Sequence, residues 1–480
     1  MKINWHRQHR WSGIVSIFLL MMFCVSGIVL NHRSLVADIE VSRSWLPWWY
    51  EFKNWNGGLM RGTVSYQDGV LIYGVNGIWL TDGSGGRVRD FNAGLPPAAD
   101  CRQVRGIAVC DSSYYAATTM GIYRLESGIW RGVPLPMEDD ERLSDITAKD
   151  DTLVVVGRSN LYVMDPGSRS FTMVNIKSAP MMDDKVSLFR TVWMLHSGEL
   201  FGLVGRLVVD FVAVILIILS ITGLVHWLLP KFIRKLRLRY RGVKVPVKTM
   251  RNNMMLHNHI GRFTIVVTLL IVITGWCLRP PVMIALALNK TSAIPGTSLD
   301  SDNPWHDKLR MLRYDRECDE WLLSTSEGFF VLDNLTAQPH KLDVRLPVSV
   351  MGLNVFEKDA DGDWLVGSFS GMYRWNRKTG RVQDYFTGAV PDDVNGPPFG
   401  KYAVSGYSDK FNTVVEYHDG TEAIVQPEKM NNLPMSIWNV ALEAHSGRLF
   451  MGSIATYVFV FIVGLIIAWC LWSGWKSRRS

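Results

Sequence analysis

Four long apolar runs constrain this chain more than any other feature of it. Trp11 to Leu30 is 20 residues without a charge, and Ser453 to Trp475 is 23 residues without one. Leu207 to Leu229 is also 23 residues long, with Asp210 as its single acid. Phe263 to Leu278 is apolar, meets Arg279-Pro280-Pro281, and resumes to Leu288. Each run approaches the roughly 20 residues a helix needs to cross a bilayer. The third is short and is expected to bend at its prolines. The first is long for a signal peptide and ends in Ile28-Val-Leu-Asn-His32 with no small-residue cleavage site, so it reads as a retained span.

The charge places these spans. The net charge of +7 invites a nucleic-acid reading. Segments 1–11, 230–262 and 476–480 contain no acid and carry +3, +10 and +3, leaving 7 − 16 = −9 for the rest. Basic residues between spans mark the cytoplasmic side. Both termini and the basic segment therefore read as cytoplasmic, on the inner face of a bacterial cytoplasmic membrane, where they meet anionic lipid. No nucleic-acid partner is expected.

The expected organisation is a first transmembrane helix (1–32), an outward segment (33–190), a second helix (191–230), a basic cytoplasmic loop (231–256), a third helix (257–289), a second outward segment (290–440), and a fourth helix with tail (441–480). The outward segments repeat a phrase of strand, Gly or Asn turn, and strand. It occurs at Gly74–Asp82, Thr118–Glu126, Gly157–Asp165, Ser324–Asp333 and Gly367–Asn376, and more weakly at Tyr407–Tyr417. The aromatics Trp79, Tyr123 and Tyr162 are 44 and 39 residues apart, and Phe330 and Tyr373 are 43 apart. A period near 40 suits four-stranded propeller blades. The fold class is thus membrane α plus β: a four-helix bundle of two repeated halves, carrying a periplasmic β-propeller of about six blades built from two inserted segments. Cys101 and Cys110 fall in one blade, where a disulfide could form.

The two halves match closely. His9-Arg-Trp-Ser-Gly13 and His257-Asn-His-Ile-Gly261 share His-x-x-x-Gly, and Ser26-Gly27 and Thr274-Gly275 follow at equal spacing. Leu195-His-Ser-Gly-Glu-Leu-Phe-Gly202 matches Ala444-His-Ser-Gly-Arg-Leu-Phe-Met-Gly452. His9 and His257 fall at the cytoplasmic end, and His196 and His445 at the outward end. Titratable residues at a membrane are costly and usually functional. Paired imidazoles from symmetry-related helices suit haem iron, and two such pairs would make a transmembrane electron path. Zinc or copper is disfavoured, because no Cys, Asp or Glu joins them at ligand spacing. His32, His226 and His259 remain alternative ligands or supporting groups. Arg206, Arg279 and Arg448 read either as partners of haem propionates or as interfacial residues. Trp45, Trp48, Trp49 and Trp55 read as an interfacial belt or a substrate platform.

The set His-Arg-Trp-x-Gly, Leu-His-Ser-Gly-x-x-Phe-Gly and Thr222-Gly-Leu-x-x-Trp227 resembles the PepSY-associated transmembrane helix family. That resemblance covers the four spans. It implies two b haems held by His9, His196, His257 and His445, and a reductase that passes electrons to ferric siderophores in the periplasm. Members often carry PepSY-type α+β domains outside the membrane, where this chain reads as a propeller. The chain has no Gly-x-Gly-x-x-Gly, Walker or Gly-x-Ser-x-Gly motif. The electron donor is therefore expected to be a separate flavoprotein or the quinol pool. The alternative is a sensor or binding module that docks a partner or transporter without catalysis.

Overall fold

The computed structural model describes residues 4–138, 141–180, 182, 185–349, 351–391, 402–451 and 453–477. The chain divides into two compact units. One comprises Met1–Val36, Asp183–Ser301 and Ile437–Ser480, the other Ala37–Met182 and Asp302–Ser436.

The first unit is helical: α1 (Trp5–Asn31), α2 (Arg33–Val36), α3 (Leu188–Ser197), α4 (Gly202–Leu238), α5 (Lys244–Phe263), α6 (Ile265–Cys277), α7 (Val282–Ala287), α8 (Ile437–His445) and α9 (Ser453–Lys476). Asn4 caps α1 by accepting from Arg7 N at 3.0 Å, which satisfies one of the amides a helix start leaves open. Among the described residues, three helical stretches are long and apolar enough to cross a membrane: Trp5–Asn31, Glu199–Leu238 and Ala455–Lys476. The pair α5 and α6 meets the same criterion only together and is bent by 68° at Thr264. At 13 residues, α6 is about 20 Å long and too short to span alone. Helix α1 packs on α4, α8 and α9, and α6 packs on α3 and α9. Cys24, Val212 and Leu216 form a buried apolar centre against Leu20, Ile271 and Leu471.

Two expectations change here. The basic segment is not a loop: α4 runs on through Leu238 and α5 begins at Lys244. Lys and Arg are good helix formers, so topogenic charge does not interrupt a helix. The third span bends at the very start of its apolar run, at Thr264, and not only at the prolines. There Thr264 Oγ1 donates to Ile260 O at 2.9 Å, a side-chain bond of the kind that bends helices.

The second unit is built of antiparallel meanders. Five have four strands each among the described residues, starting at Gly62–Tyr66, Val104–Cys110, Leu143–Lys149, Leu309–Asp315 and Leu353–Lys358. A sixth pairs Val404–Ser408 with Thr413–Glu416. The repeated aromatics occupy one register: Trp79, Tyr123, Tyr162, Phe330 and Tyr373 each face the residue seven positions earlier. A register shift recurs near the start of the first strand in every sheet but the first. First strands of successive sheets pack together. The sixth lies against the first, with Thr63 Oγ1 2.7 Å from Ser408 Oγ. Glu40–Val41 pairs with Met435–Ser436, tying the beginning of this unit to its end.

Cys110 remains a thiol, directed at Asp150 O, and no bond joins it to Cys101. Trp55 does not belong with an aromatic belt. It is fully buried and donates from Nε1 to Ile424 O, whereas Trp45 and Trp48 are exposed.

Candidate functional site: two facing histidine pairs

The helical unit brings four histidines together in two pairs. His9 on α1 faces His257 on α5 with ring centroids 6.0 Å apart. His196 on α3 faces His445 on α8 at 6.1 Å. The second pair does not ride on the long helices themselves. In both His-Ser-Gly motifs the histidine occupies the last turn of a short helix, and the glycine follows with a left-handed backbone, φ +82° at Gly198 and +79° at Gly447. Glycine is the residue that stops a helix this way without strain. A Cβ on Gly198 would also collide with the backbone of Gly205, so this corner has no room for a side chain.

Each histidine lies against a Ser-Gly or Thr-Gly step on another helix. His196 Nδ1 lies 3.0 Å from Ile271 O and 3.2 Å from Thr274 Oγ1. His445 Nδ1 lies 3.0 Å from both Phe23 O and Ser26 Oγ. His9 Nδ1 lies 2.9 Å from Cys470 O, the carbonyl that Ser473 Oγ also donates to. His257 Nδ1 lies 2.8 Å from Thr222 Oγ1. The glycine after each hydroxyl residue lets the ring approach. A Cβ added to Gly275 would stand 2.6 Å from His196 Cε1, and one on Gly474 2.8 Å from His9 Cε1. On Gly27 it would stand 3.3 Å from His445 Cε1, and on Gly223 3.7 Å from His257 Cε1.

This arrangement has a chemical consequence. A carbonyl oxygen only accepts, so His9, His196 and His445 carry their proton on Nδ1 and present the Nε2 lone pair. Metal-ligating histidines are oriented in the same way, by donating the other ring N–H to a carbonyl. Two imidazoles sharing one metal through Nε2, with bonds of about 2 Å, place their centroids about 6 Å apart. Both pairs have that spacing. No group of three or more His, Cys, Asp or Glu able to hold a metal occurs among the described residues. The donor set therefore fits a metal that brings its own equatorial ligands and needs only two axial ones, as haem iron does.

Helix α1 carries His9 and, 17 residues later, the Ser26 that holds His445. At 1.5 Å per residue that is about 25 Å along one continuous helix. That separation is close to the thickness of a bilayer's hydrocarbon layer, about 30 Å.

The other candidates fall elsewhere. His32 Nε2 is 2.7 Å from Asp210 Oδ2, and Asn31 Nδ2 donates to Asp210 Oδ1 at 2.9 Å. His32 is thus the partner of the lone acid in α4 and lies in neither facing pair. His226 and His259 are exposed on α4 and α5. Arg448 is held by Glu443 in a two-pronged pair, Nε to Oε2 at 2.8 Å and Nη2 to Oε1 at 2.5 Å, so it is already engaged. Arg279 lies within electrostatic reach of Arg448, Glu443 and His445. Arg206 follows Gly205, beside Gly198, and its Nε is buried with no hydrogen-bond partner. The sequence singled out Thr222-Gly223 only as part of a family motif, and Ser473 and Gly474 not at all. The signal was one hydroxyl-glycine dipeptide late in every span.

The family model for the PepSY-associated TM region matches residues 6–476. The chain belongs to this family. No curated protein matches the sequence. Two solved structures resemble parts of this PepSY-associated protein. Both are extracellular domains from B. thetaiotaomicron, one of a putative hybrid two-component system and one of a putative one-component system. Their identities are 10% and 11% and their TM-scores 0.36 and 0.34, over 78% and 80% of this chain. The matched regions span 32% and 40% of those chains, and scores this low carry no argument about fold or function.

Proposed function

We propose that this protein is a dihaem b-type membrane oxidoreductase that passes single electrons across the bacterial inner membrane to a periplasmic acceptor, a ferric siderophore in the first instance. The observation that carries the reading is the pair of histidine pairs, each about 6 Å between rings and each held through Nδ1. His9 and His257 would hold one haem, His196 and His445 the other. A bound haem supplies one-electron exchange at its iron. The chain's part is to fix the ring planes, exclude other ligands and set the local charge. Asp210, tied by His32 and Asn31, and Arg448, tied by Glu443, are kept from competing for the site. Of the three candidate arginines, Arg206 and Arg279 are then the ones to meet propionates.

This reading puts both termini and the basic helical segment in the cytoplasm, and the positive-inside rule supports it. The six meanders are read as blades of one propeller, supported by their common register and by the contact of the sixth with the first. The donor is a quinol or a separate flavoprotein, and the acceptor is reduced by one electron, iron(III) to iron(II). Hard oxygen chelators hold iron(II) less tightly, so reduction releases the metal.

The test is anaerobic. Purified protein in detergent is reduced with dithionite, freed of excess, and mixed with ferric siderophores beside a ferrous trap. Reoxidation of the protein in step with trapped ferrous iron supports the proposal. Protein that stays reduced with every siderophore, yet reoxidises with dioxygen, would overturn the siderophore assignment.

A further inference from the structure

The β unit contains a cavity that the electron path does not use. Its volume is about 550 Å³, within the range of small-molecule sites. The first strands of five sheets line it, through Thr63, Ile107, Thr147, Arg313 and Glu357 among others. The cations on its wall are already engaged. Arg313 Nη1 bonds Asp145 Oδ2 at 2.5 Å and Leu312 O at 2.7 Å. Lys358 Nζ lies 3.0 Å from Asp315 and 2.9 Å from Glu317. Arg316 reaches Asp150 at 3.3 Å.

One acceptor on the wall is not matched in this way. The Glu357 carboxylate lines the cavity and has no hydrogen bond or ion pair among the described residues. Asp145, by contrast, is buried behind the wall, accepts from Leu312 N and Arg313 Nη1, and does not itself line the cavity. A buried acceptor without a donor is costly, and native structures rarely leave one empty-handed. No three-ligand metal cluster exists among the described residues, so a bare metal ion does not fit.

We propose that this cavity binds a small organic cation, a primary ammonium or a guanidinium, whose N–H groups bond the Glu357 carboxylate. The inference does not rest on the electron-transfer reading. Burial pushes Glu357 up to about 7; Arg313 and Lys410 oppose this, while Asp409 and Asp145 add to it. Tyr73 and Tyr407 also face its charge, and Arg61, near Tyr73, does not line the cavity. A cation entering beside a half-protonated carboxyl displaces its proton. Binding should therefore strengthen as pH rises, by about tenfold between pH 6 and pH 8.

The test is calorimetric titration of the full-length protein in detergent with cadaverine and with agmatine, using glutarate as the anionic control. Titrations in phosphate and in HEPES, whose ionisation heats differ, count the protons released. The expected result is amine binding that is about tenfold tighter at pH 8 than at pH 6, with about half a proton released near pH 7. E357Q should weaken binding at least tenfold at pH 8 and remove the pH dependence. Absence of amine binding at millimolar concentration, preference for glutarate, or unchanged affinity in E357Q would overturn the proposal. Should E357Q fail to fold, the proton count on the unaltered protein decides, and no release means no site of this kind.

Discussion

His196 and His445 face each other across 6.1 Å, although 249 positions separate them in the chain. Neither belongs to a long span. Each ends a short helix that a left-handed glycine stops, and each is bonded through Nδ1 to a carbonyl of a different apolar helix. The pair is therefore positioned by two independent helix–helix contacts, α3 on α6 and α8 on α1.

The glycines beside the rings are predicted to be unequal. A methyl on Gly275 would sit 2.6 Å from His196, and α6 and α3 would have to part to accommodate it. On Gly223 it would sit 3.7 Å from His257, at ordinary contact distance. Gly275→Ala should lower the haem count from two to one per chain. Gly223→Ala should keep both haems and raise the melting temperature, since alanine in a helix is favoured by up to about 1 kcal/mol. Haem quantitation and thermal melting of both variants check this.

His32 is predicted to matter for stability and not for haem. Removing Asp210 leaves Asn31 and His32 without their shared acceptor in an apolar setting, a loss of roughly 1–3 kcal/mol. Asp210→Ala should melt earlier than the parent protein, and His32→Ala should retain two haems. A His32→Ala protein with one haem would assign that residue as a ligand after all.

Acid stability of the β unit should depend on Asp315. Burial would raise its pKa, but hydrogen bonds from Lys358 and Arg377 outweigh that and hold it at about 2. A depressed carboxyl stabilises the fold above its unfolded value near 4 and loses that contribution as pH falls towards 2. Asp315→Asn should cost on the order of 2 kcal/mol at pH 7 and much less at pH 2. Denaturant unfolding followed by tryptophan fluorescence at several pH values checks the sign.

The sequence exposed the histidines because they repeat. His-x-x-x-Gly and His-Ser-Gly each occur twice at matching places, and symmetry alone suggested which imidazoles meet. The blade-like phrases were legible because Trp79, Tyr123, Tyr162, Phe330 and Tyr373 hold one register, which a period near 40 reports directly. The steps Ser26-Gly27, Thr274-Gly275 and Thr222-Gly223 were visible as motifs, but that they and Ser473-Gly474 cradle the rings was not, because that role appears only once distant helices pack. The helical basic segment was missed for another reason: charge marks the side of a membrane and leaves helix propensity untouched. His32 gave no signal either, since its partner Asp210 lies 178 positions away.

The most direct measurement is the haem content and spectrum of the purified protein, taken beside His9→Ala and His196→Ala. The account predicts a Soret band, two haems per chain with low-spin bis-histidine signatures, and one haem in each variant. A protein without a Soret band, or variants that keep both haems, would contradict it.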